Sequence, residues 1–416
     1  MNALLKNAAL ALAAVGASVV LAEGVLRLAA PRYEYAAASV HQRDAGRMIT
    51  RRPDTAYTRA HPDTGVRHPV IHNNLGMRQH RTIPLEKAAG EVRVGIFGDS
   101  FTENARIAAP YAFSEVLDHL LNASGGRFTV LNFGVDGYAT DQSWLYYQSA
   151  EAARDLDVVL YVFATNDVRG LYENDLLELG ADGEIVRKPP PKAAWWIPIA
   201  SRLYLTYLAI DVRNRIAAAR GETDASYDPI EARVLERMRS ERDARTRDAT
   251  SEAIADDFRG GEPSERSRVW VRLLQAVVER WRGEVEGAGG RFYVVLLPRA
   301  KEGLAAPLFP DARVINLWEA FQGDGVEPRS WVFRRDGHWN ELGNQLAAIH
   351  IYQRLAADLG LVALDDTGIR RALGVYYSVF DDTWRPTRWV EWNALDPGAA
   401  AALRRRYAHL EDPAAR

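Results

Sequence analysis

Between residues 92 and 163 the chain alternates short, nearly unbroken apolar runs with stretches in which apolar residues recur every three or four positions. The runs at 92–97 (VRVGIF), 128–133 (FTVLNF) and 157–163 (DVVLYVF) are rich in β-branched and aromatic residues. Runs without polar alternation predict strands covered on both faces, as in parallel sheets. Between the first two, Phe113, Val116, Leu117, Leu120 and Leu121 keep the spacing of an amphipathic helix, ended near Gly125-Gly126. A second helix is expected to be capped by Thr140 or Asp141, with Trp144 and Leu145 facing inward. The rhythm resumes as a helix over 269–278, strands at 292–297 and 314–317, and a last helix from Glu341 with Leu342, Leu346, Ile349 and Leu355 on one side. The alternation predicts an α/β fold of three layers, a parallel sheet with helices on both faces.

The flanks lack this rhythm. Residues 31–90 are polar, with Pro53, Pro62, Pro69 and Pro84, and read as a wrapping segment holding short strands at most. The domain over 91–360 is interrupted at about 170–268 by an insertion expected to be helical. It contains Pro189-Pro190-Pro191, an aromatic stretch at 195–210 expected to pack on the core, and a mixed-charge stretch at 231–247 expected to be a solvated helix face. Residues 361–416 form a C-terminal extension with Trp384, Trp389 and Trp392.

At the N-terminus, residues 8–22 are apolar or small, fewer than the roughly 20 a spanning helix wants. Val20-Leu21-Ala22 offers a small-residue cleavage site, but the apolar stripe continues over 24–30. Residues 1–30 are therefore expected to be an uncleaved signal-anchor, with a cleaved export signal as the alternative.

With 416 residues the chain can hold more than one domain, and a net charge of −3 gives no general pull toward nucleic acid. The absence of cysteine excludes disulfides, thiolate chemistry and cysteine-based zinc sites. His61, His68 and His72 lie close together, but Pro62, Gly65 and Pro69 break the segment, so metal-ligand spacing on a helix is not expected. No G-x-G-x-x-G helix start follows the first strand, and no cofactor is expected.

Four stretches carry candidate chemistry: Gly98-Asp99-Ser100, the turn "NFGVDGY" over 132–138, Asn166 in "FATND", and Asp336-Gly337-His338. The first three fall just beyond predicted strands, where open α/β sheets place their ligands. A serine nucleophile needs a base, a carboxylate to orient that base, and donors aimed at the oxyanion, and these stretches supply one of each.

In kind and order the four stretches resemble the blocks of the SGNH hydrolases, the GDSL-type esterases and acyltransferases, over about residues 92–355. "HNNLGMR" (72–78) resembles a segment that precedes the first block in membrane-anchored bacterial members. The resemblance implies the flavodoxin-like sheet of that family, with Ser100 as nucleophile, His338 as general base and Asp336 as the orienting acid. It implies an oxyanion hole of the Ser100 and Gly137 N–H groups and the Asn166 amide, with Gly134 as the alternative glycine.

Two positions depart from the family pattern. Ala164 stands where the Gly-x-Asn-Asp block has its glycine, and Asp336 and His338 are separated by a single residue where Asp-x-x-His is usual. Arg335 fills the usual acid position and cannot serve there. The implied activity is hydrolysis or transfer of O-acyl groups, above all acetyl, on cell-envelope or exopolysaccharide sugars. The implied setting is the periplasmic side of a bacterial inner membrane, with a polysaccharide-assembly complex as partner. A non-catalytic envelope-assembly or polysaccharide-binding component with a degenerate site is the alternative.

Overall fold

The computed structural model describes residues 3–29, 41–43, 49–79, 81–188, 203, 205, 208, 265–298, 305–325, 330–334 and 336–377. The chain divides into two compact units, one drawn from 1–41 and 190–241, the other from 42–189 and 242–416. In the first, helix α1 (Ala3–Ala29) buries Glu23, whose carboxylate accepts from Arg27 Nε at 2.8 Å and from the Leu205 N–H at 3.0 Å. Among the described residues no helix is long and apolar enough to cross a membrane, so the expected single-pass anchor finds no support. The unbroken apolar run at 8–22 rises about 22 Å, against a hydrocarbon thickness of about 30 Å.

Short strands lead into the second unit: β1 (His41–Arg43), β2 (Ile49–Arg51), β3 (Thr55–Ala60) and β4 (Arg67–His72), the last two an antiparallel hairpin. The main sheet follows, from β5 (Val92–Phe97), β6 (Phe128–Asn132), β7 (Val158–Phe163), β10 (Arg291–Leu296) and β11 (Arg313–Asn316). Before β10 comes a small hairpin of β8 (Leu177–Leu179) and β9 (Ile185–Arg187). The five main strands are parallel, in the order β11-β10-β7-β5-β6. This is the doubly wound 2-1-3-4-5 arrangement of flavodoxin-like folds, whose strand order reverses between the first and third strands. Here that switch point lies between β5 and β7.

The helices are α2 (Ser100–Glu103), α3 (Phe113–Ala123), α4 (Thr140–Ser149), α5 (Asn166–Asn174), α6 (Glu265–Gly287), α7 (Leu317–Gly323), α8 (Glu341–Leu359) and α9 (Asp366–Tyr377). On one face of the sheet, Val94, Ile96 and Leu160 pack with Leu117 and Leu120 of α3 and Ile351 of α8. On the other, Phe97, Leu131 and Val159 pack with Trp144 of α4 and Leu274 and Trp281 of α6. Phe97 lies parallel to Phe133 at 4.4 Å and meets Trp281 edge-on at 5.2 Å. Such aromatic pairs add about 0.5–1.5 kcal/mol to the burial of their area.

The elements follow the hydrophobic pattern, with corrections at their ends. Asp157 precedes β7 and its carboxylate accepts the Arg93 N–H and Lys87 Nζ, each at 2.6 Å. Neither Thr140 nor Asp141 caps α4. Ala139 holds that position, the Gln142 side chain reaches back to its N–H at 3.1 Å, and the Thr140 hydroxyl pairs with Tyr161 instead. The helix expected over 269–278 runs the longer course of α6 because apolar positions continue through Trp281 and Val285. Arg93, the one charge in β5, is buried with its guanidinium against the carbonyls of Pro84, Leu85 and Glu86.

The interruption after β7 opens with α5 and the β8–β9 hairpin. Its proline run, most of 195–210 and all of 231–247 lie outside the described residues, as do Trp384, Trp389 and Trp392. The C-terminal extension begins as α9, which places the Ala372 carbonyl 2.9 Å from His119 Nε2 and stacks Tyr377 on Tyr111.

Candidate active site

Ser100 opens α2 directly after β5. Asp99 caps this short helix, its Oδ1 accepting the Phe101 N–H at 2.9 Å. Asn104 closes it in the left-handed conformation, at φ 57°, which asparagine tolerates better than other non-glycine residues. Its amide ties down that end by donating to the Phe101 carbonyl at 2.8 Å and to Asn344 Oδ1 at 2.6 Å. The serine is thus fixed at both ends of a single turn.

Ser100 Oγ lies 2.6 Å from His338 Nε2. On the other side of the ring Nδ1 meets Asp336 Oδ1, which also accepts the His338 backbone N–H at 3.0 Å. A two-residue step from acid to base suffices because the chain turns back on itself, putting the carboxylate under both nitrogens. Arg335 lies outside the described residues. Phe101 stacks on the imidazole at 4.4 Å and fixes the plane of the ring.

Burial works to raise the pKa of Asp336, but the hydrogen bond from His338 and the nearby Arg106 charge outweigh it and hold the carboxyl well below the usual carboxylate range. An ionised carboxylate accepts only, so Nδ1 carries the proton and Nε2 presents its lone pair to the serine. Burial, then the charge of Arg106, lowers the pKa of His338 below 6.5, partly opposed by Asp336. The resting imidazole is therefore neutral near pH 7.

The glycine turn after β6 packs directly on α2. A Cβ on Gly134 would stand 2.4 Å from the Glu103 nitrogen, so only glycine lets the turn approach this closely. The Gly134 N–H is already taken by Asn132 Oδ1 at 2.9 Å, which removes it as the alternative donor. Asn132 Nδ2 in turn donates to the Thr102 carbonyl at 2.9 Å. Gly137 is exposed in the left-handed region at φ 80°, and its N–H meets no acceptor among the described residues. Nor does the Ser100 N–H. Asn166, exposed at the start of α5, donates through Nδ2 to Asp99 Oδ2 at 3.2 Å, so the loops after β5 and β7 are joined at the switch point.

The structure therefore puts Ser100, His338 and Asp336 in direct contact, seats Asn166 beside Asp99, and places Gly137 on the turn that rests on α2. Asp99 and Asp167 serve as acceptors of loop and side-chain donors. Asp167 takes the Tyr161 hydroxyl at 2.6 Å and the Ala164 N–H at 3.3 Å, and burial then the Asp99 charge pushes its pKa well up.

A second set of residues, only partly marked in the sequence by the "HNNLGMR" segment, underlies the site. Glu103 is fully buried and takes Arg51 through both carboxylate oxygens, at 2.8 and 2.6 Å. The same carboxylate accepts the Asp136 N–H at 2.6 Å and faces His72 Nε2 at 3.4 Å. Burial opposes its ionisation, but the Arg51 charge and the His72 hydrogen bond prevail and its pKa lies well below the ordinary value. Arg78 is buried against the Ile107 carbonyl, and Asn73 shapes the "HNNLGMR" turn by accepting the Leu75 and Met77 N–H groups at 3.0 Å. The clustered histidines go to separate partners: His61 to Glu341, His68 to the Ala105 carbonyl and His72 to Glu103. Arg106 donates from Nε to Asp336 Oδ2 at 2.7 Å.

Fold and site together define a flavodoxin-like α/β/α protein in which Ser100, His338 and Asp336 are in contact at the carboxyl edge of the sheet. In the order of its sequence blocks it is similar to the SGNH hydrolases. No protein-family model matches the chain, and no curated protein does. Solved structures similar to it include a member of the lipolytic protein G-D-S-L family from Veillonella parvula, at 15% identity and a TM-score of 0.30, covering 63% of this chain and 97% of that one. A catalytic mutant of Axe2, an acetylxylan esterase from Geobacillus stearothermophilus, is similar at 11% identity and a TM-score of 0.33, covering 66% and 97%. TesA is similar at 10% identity and a TM-score of 0.32, covering 64% and 98%. At such low identity and overlap, the roles of individual residues rest on the geometry of this chain.

Proposed function

We propose that the protein is a serine-dependent ester hydrolase or O-acyltransferase whose substrates are O-acetylated sugars of cell-envelope or exported polysaccharide. The observation that carries the reading is the contact chain from Ser100 Oγ through His338 to Asp336. Its place at the topological switch point fits the rule for ligand sites in open α/β sheets. The preference for acetylated carbohydrate comes from the resemblance of the sequence blocks to those of membrane-anchored bacterial SGNH proteins. The spacing that favoured a non-catalytic component does not part Asp336 from His338, so the catalytic reading is preferred.

In the proposed reaction Ser100 Oγ attacks the ester carbonyl carbon while its proton passes to His338 Nε2. The tetrahedral oxyanion is met by the N–H groups of Ser100 and Gly137 and by Asn166 Nδ2. Collapse breaks the bond to the alcohol oxygen, which takes the proton from Nε2 and leaves. Water or a sugar hydroxyl then attacks the acyl-serine by the reverse proton path, giving free acetate or a new ester.

Incubation with a fluorophosphonate followed by peptide mass spectrometry tests the reading, since the reagent forms a stable adduct only with an activated serine. A mass addition on Ser100 is expected; a folded protein left unmodified there would overturn the proposal. Acetate release from an acetylated xylooligosaccharide, with and without an unacetylated sugar acceptor, separates hydrolysis from transfer.

Two quantitative outcomes follow. Asn166→Ala should lower kcat for p-nitrophenyl acetate by about 10²–10³-fold, the cost of one oxyanion donor. A loss under threefold would remove Asn166 from the oxyanion hole. Because His338 acts as a base only when neutral, and its pKa lies below 6.5, kcat/KM should rise with pH through a midpoint below 6.5 and then level off. An acid limb centred at 7 or above would contradict the assignment of the base.

A further inference from the structure

Arg106 lies just past α2 and is 2% exposed. Its Nε donates to Asp336 Oδ2 at 2.7 Å, leaving Oδ1 to face the imidazole. Its Nη1 stands 3.6 Å from Oδ2 of Asp136, the residue directly before Gly137. One guanidinium therefore spans two parts of the site that no strand or helix joins, the late loop carrying acid and base and the glycine turn after β6. Arginine suits this task because its planar fork presents several donors in fixed geometry, where lysine offers one point charge.

Asp136, directly before Gly137, is held through both its backbone N–H and its carboxylate. Glu103 accepts the Asp136 N–H at 2.6 Å, while the Asp136 carboxylate faces Arg106 and, at 4.0 Å, Arg59 from the β3–β4 hairpin. A backbone hydrogen bond and two ion pairs on this one residue restrain the turn that carries the following N–H. Asp336, set at an unusual step from His338, likewise has its second oxygen bonded to Arg106.

We infer that Arg106 is a positioning residue of the reaction, aligning Asp336 with the imidazole and fixing the Gly137 N–H through Asp136 as a single buried bridge. The inference rests on the serine-esterase reading above. Arg106 acts through these two carboxylates.

The charged groups around His338 are Asp336 on its own loop, Arg106 past α2, Asp136 on the glycine turn and Asp99 after β5. Arg106 disfavours the imidazolium and Asp136 favours it. Removing each should thus move the acid limb of the pH–rate profile in opposite directions, a response that a merely structural role would not produce.

The test measures kcat, KM and the acid limb of p-nitrophenyl acetate hydrolysis for wild type, Arg106→Gln, Arg106→Lys and Asp136→Asn, each checked for folding by thermal unfolding. Arg106→Gln is expected to lower kcat about 10–100-fold, the usual cost of losing a group that orients a functional one, with KM nearly unchanged and the limb moved to higher pH. Arg106→Lys should leave the limb near its wild-type position yet recover only part of kcat, because one ammonium cannot span both carboxylates. Asp136→Asn should move the limb to lower pH and reduce kcat.

If Arg106→Gln does not fold, the other two variants decide. Wild-type kcat in Arg106→Lys, or an unmoved limb in Asp136→Asn, overturns the bridge. Fluorophosphonate labelling of wild-type Ser100 keeps the two levels apart. No labelling rejects the esterase reading itself, whereas full labelling with unaltered variants rejects only the role of Arg106.

Discussion

Replacing Ser100 with alanine is expected to cut kcat for aryl-acetate hydrolysis by at least about 10³-fold and to abolish fluorophosphonate labelling, with the fold intact. The size follows from the architecture. Oγ is the only atom of Ser100 that reaches His338, at 2.6 Å, and without it the imidazole has no hydroxyl to activate. In enzymes that share this relay, loss of the serine leaves only what binding and oxyanion donors give to attack by water. Alanine suits helix α2, and the cap from Asp99 to the Phe101 N–H does not involve the serine side chain, so the unfolding temperature should hardly change. Retention of more than about a tenth of wild-type turnover would show that hydrolysis takes place elsewhere on the protein.

Asp336→Asn is expected to lower kcat by about 10⁴-fold while leaving KM within a few-fold of wild type, the pattern seen when the orienting carboxylate of such a relay becomes an amide. The carboxylate fixes the proton on Nδ1 by accepting both the ring and the backbone N–H of His338. An amide can turn its NH₂ toward the ring, which then places the proton on Nε2, where it cannot take one from serine. Arg106 sharpens the effect, since its Nε requires an acceptor and would hold the amide oxygen on its own side. Steady-state kinetics above pH 8 provide the check. A change of less than tenfold there would leave Asp336 a structural turn residue and send the search for the acid elsewhere.

Local sequence carried the sheet and the candidate site residues for a physical reason. A strand buried on both faces must be apolar at nearly every position, so 92–97, 128–133 and 157–163 stood out, and the residues just beyond them had to be the loops at one edge. The residues that hold those loops in place left no such trace. In the sequence Glu103 and Arg106 look like solvated charges after a turn; their burial depends on Arg51 and Asp336, which lie 52 and 230 positions away. The glycine turn is legible as a turn, but which N–H stays free depends on the Asn132 side chain taking that of Gly134. Spacing counts residues and not the direction of the backbone, so the departure from Asp-x-x-His at Asp336 does not prevent the contact, because the backbone folds Asp336 back under the ring.

The clamp of Arg51 and His72 on Glu103 has a bearing on how this fold could be cut down or grafted. A minimal version starting at β5 would keep the serine, the base and every strand of the main sheet, and by motif it would look complete. It would also strand an ionised carboxylate in the interior with its counter-charge deleted, a defect worth several kcal/mol. That defect would fall directly beneath the Val135–Asp136 peptide, one peptide before the Gly137 N–H. The polar, proline-broken segment before β5 is thus part of what supports the candidate site, and a cut-down version that keeps this clamp must begin upstream of residue 51.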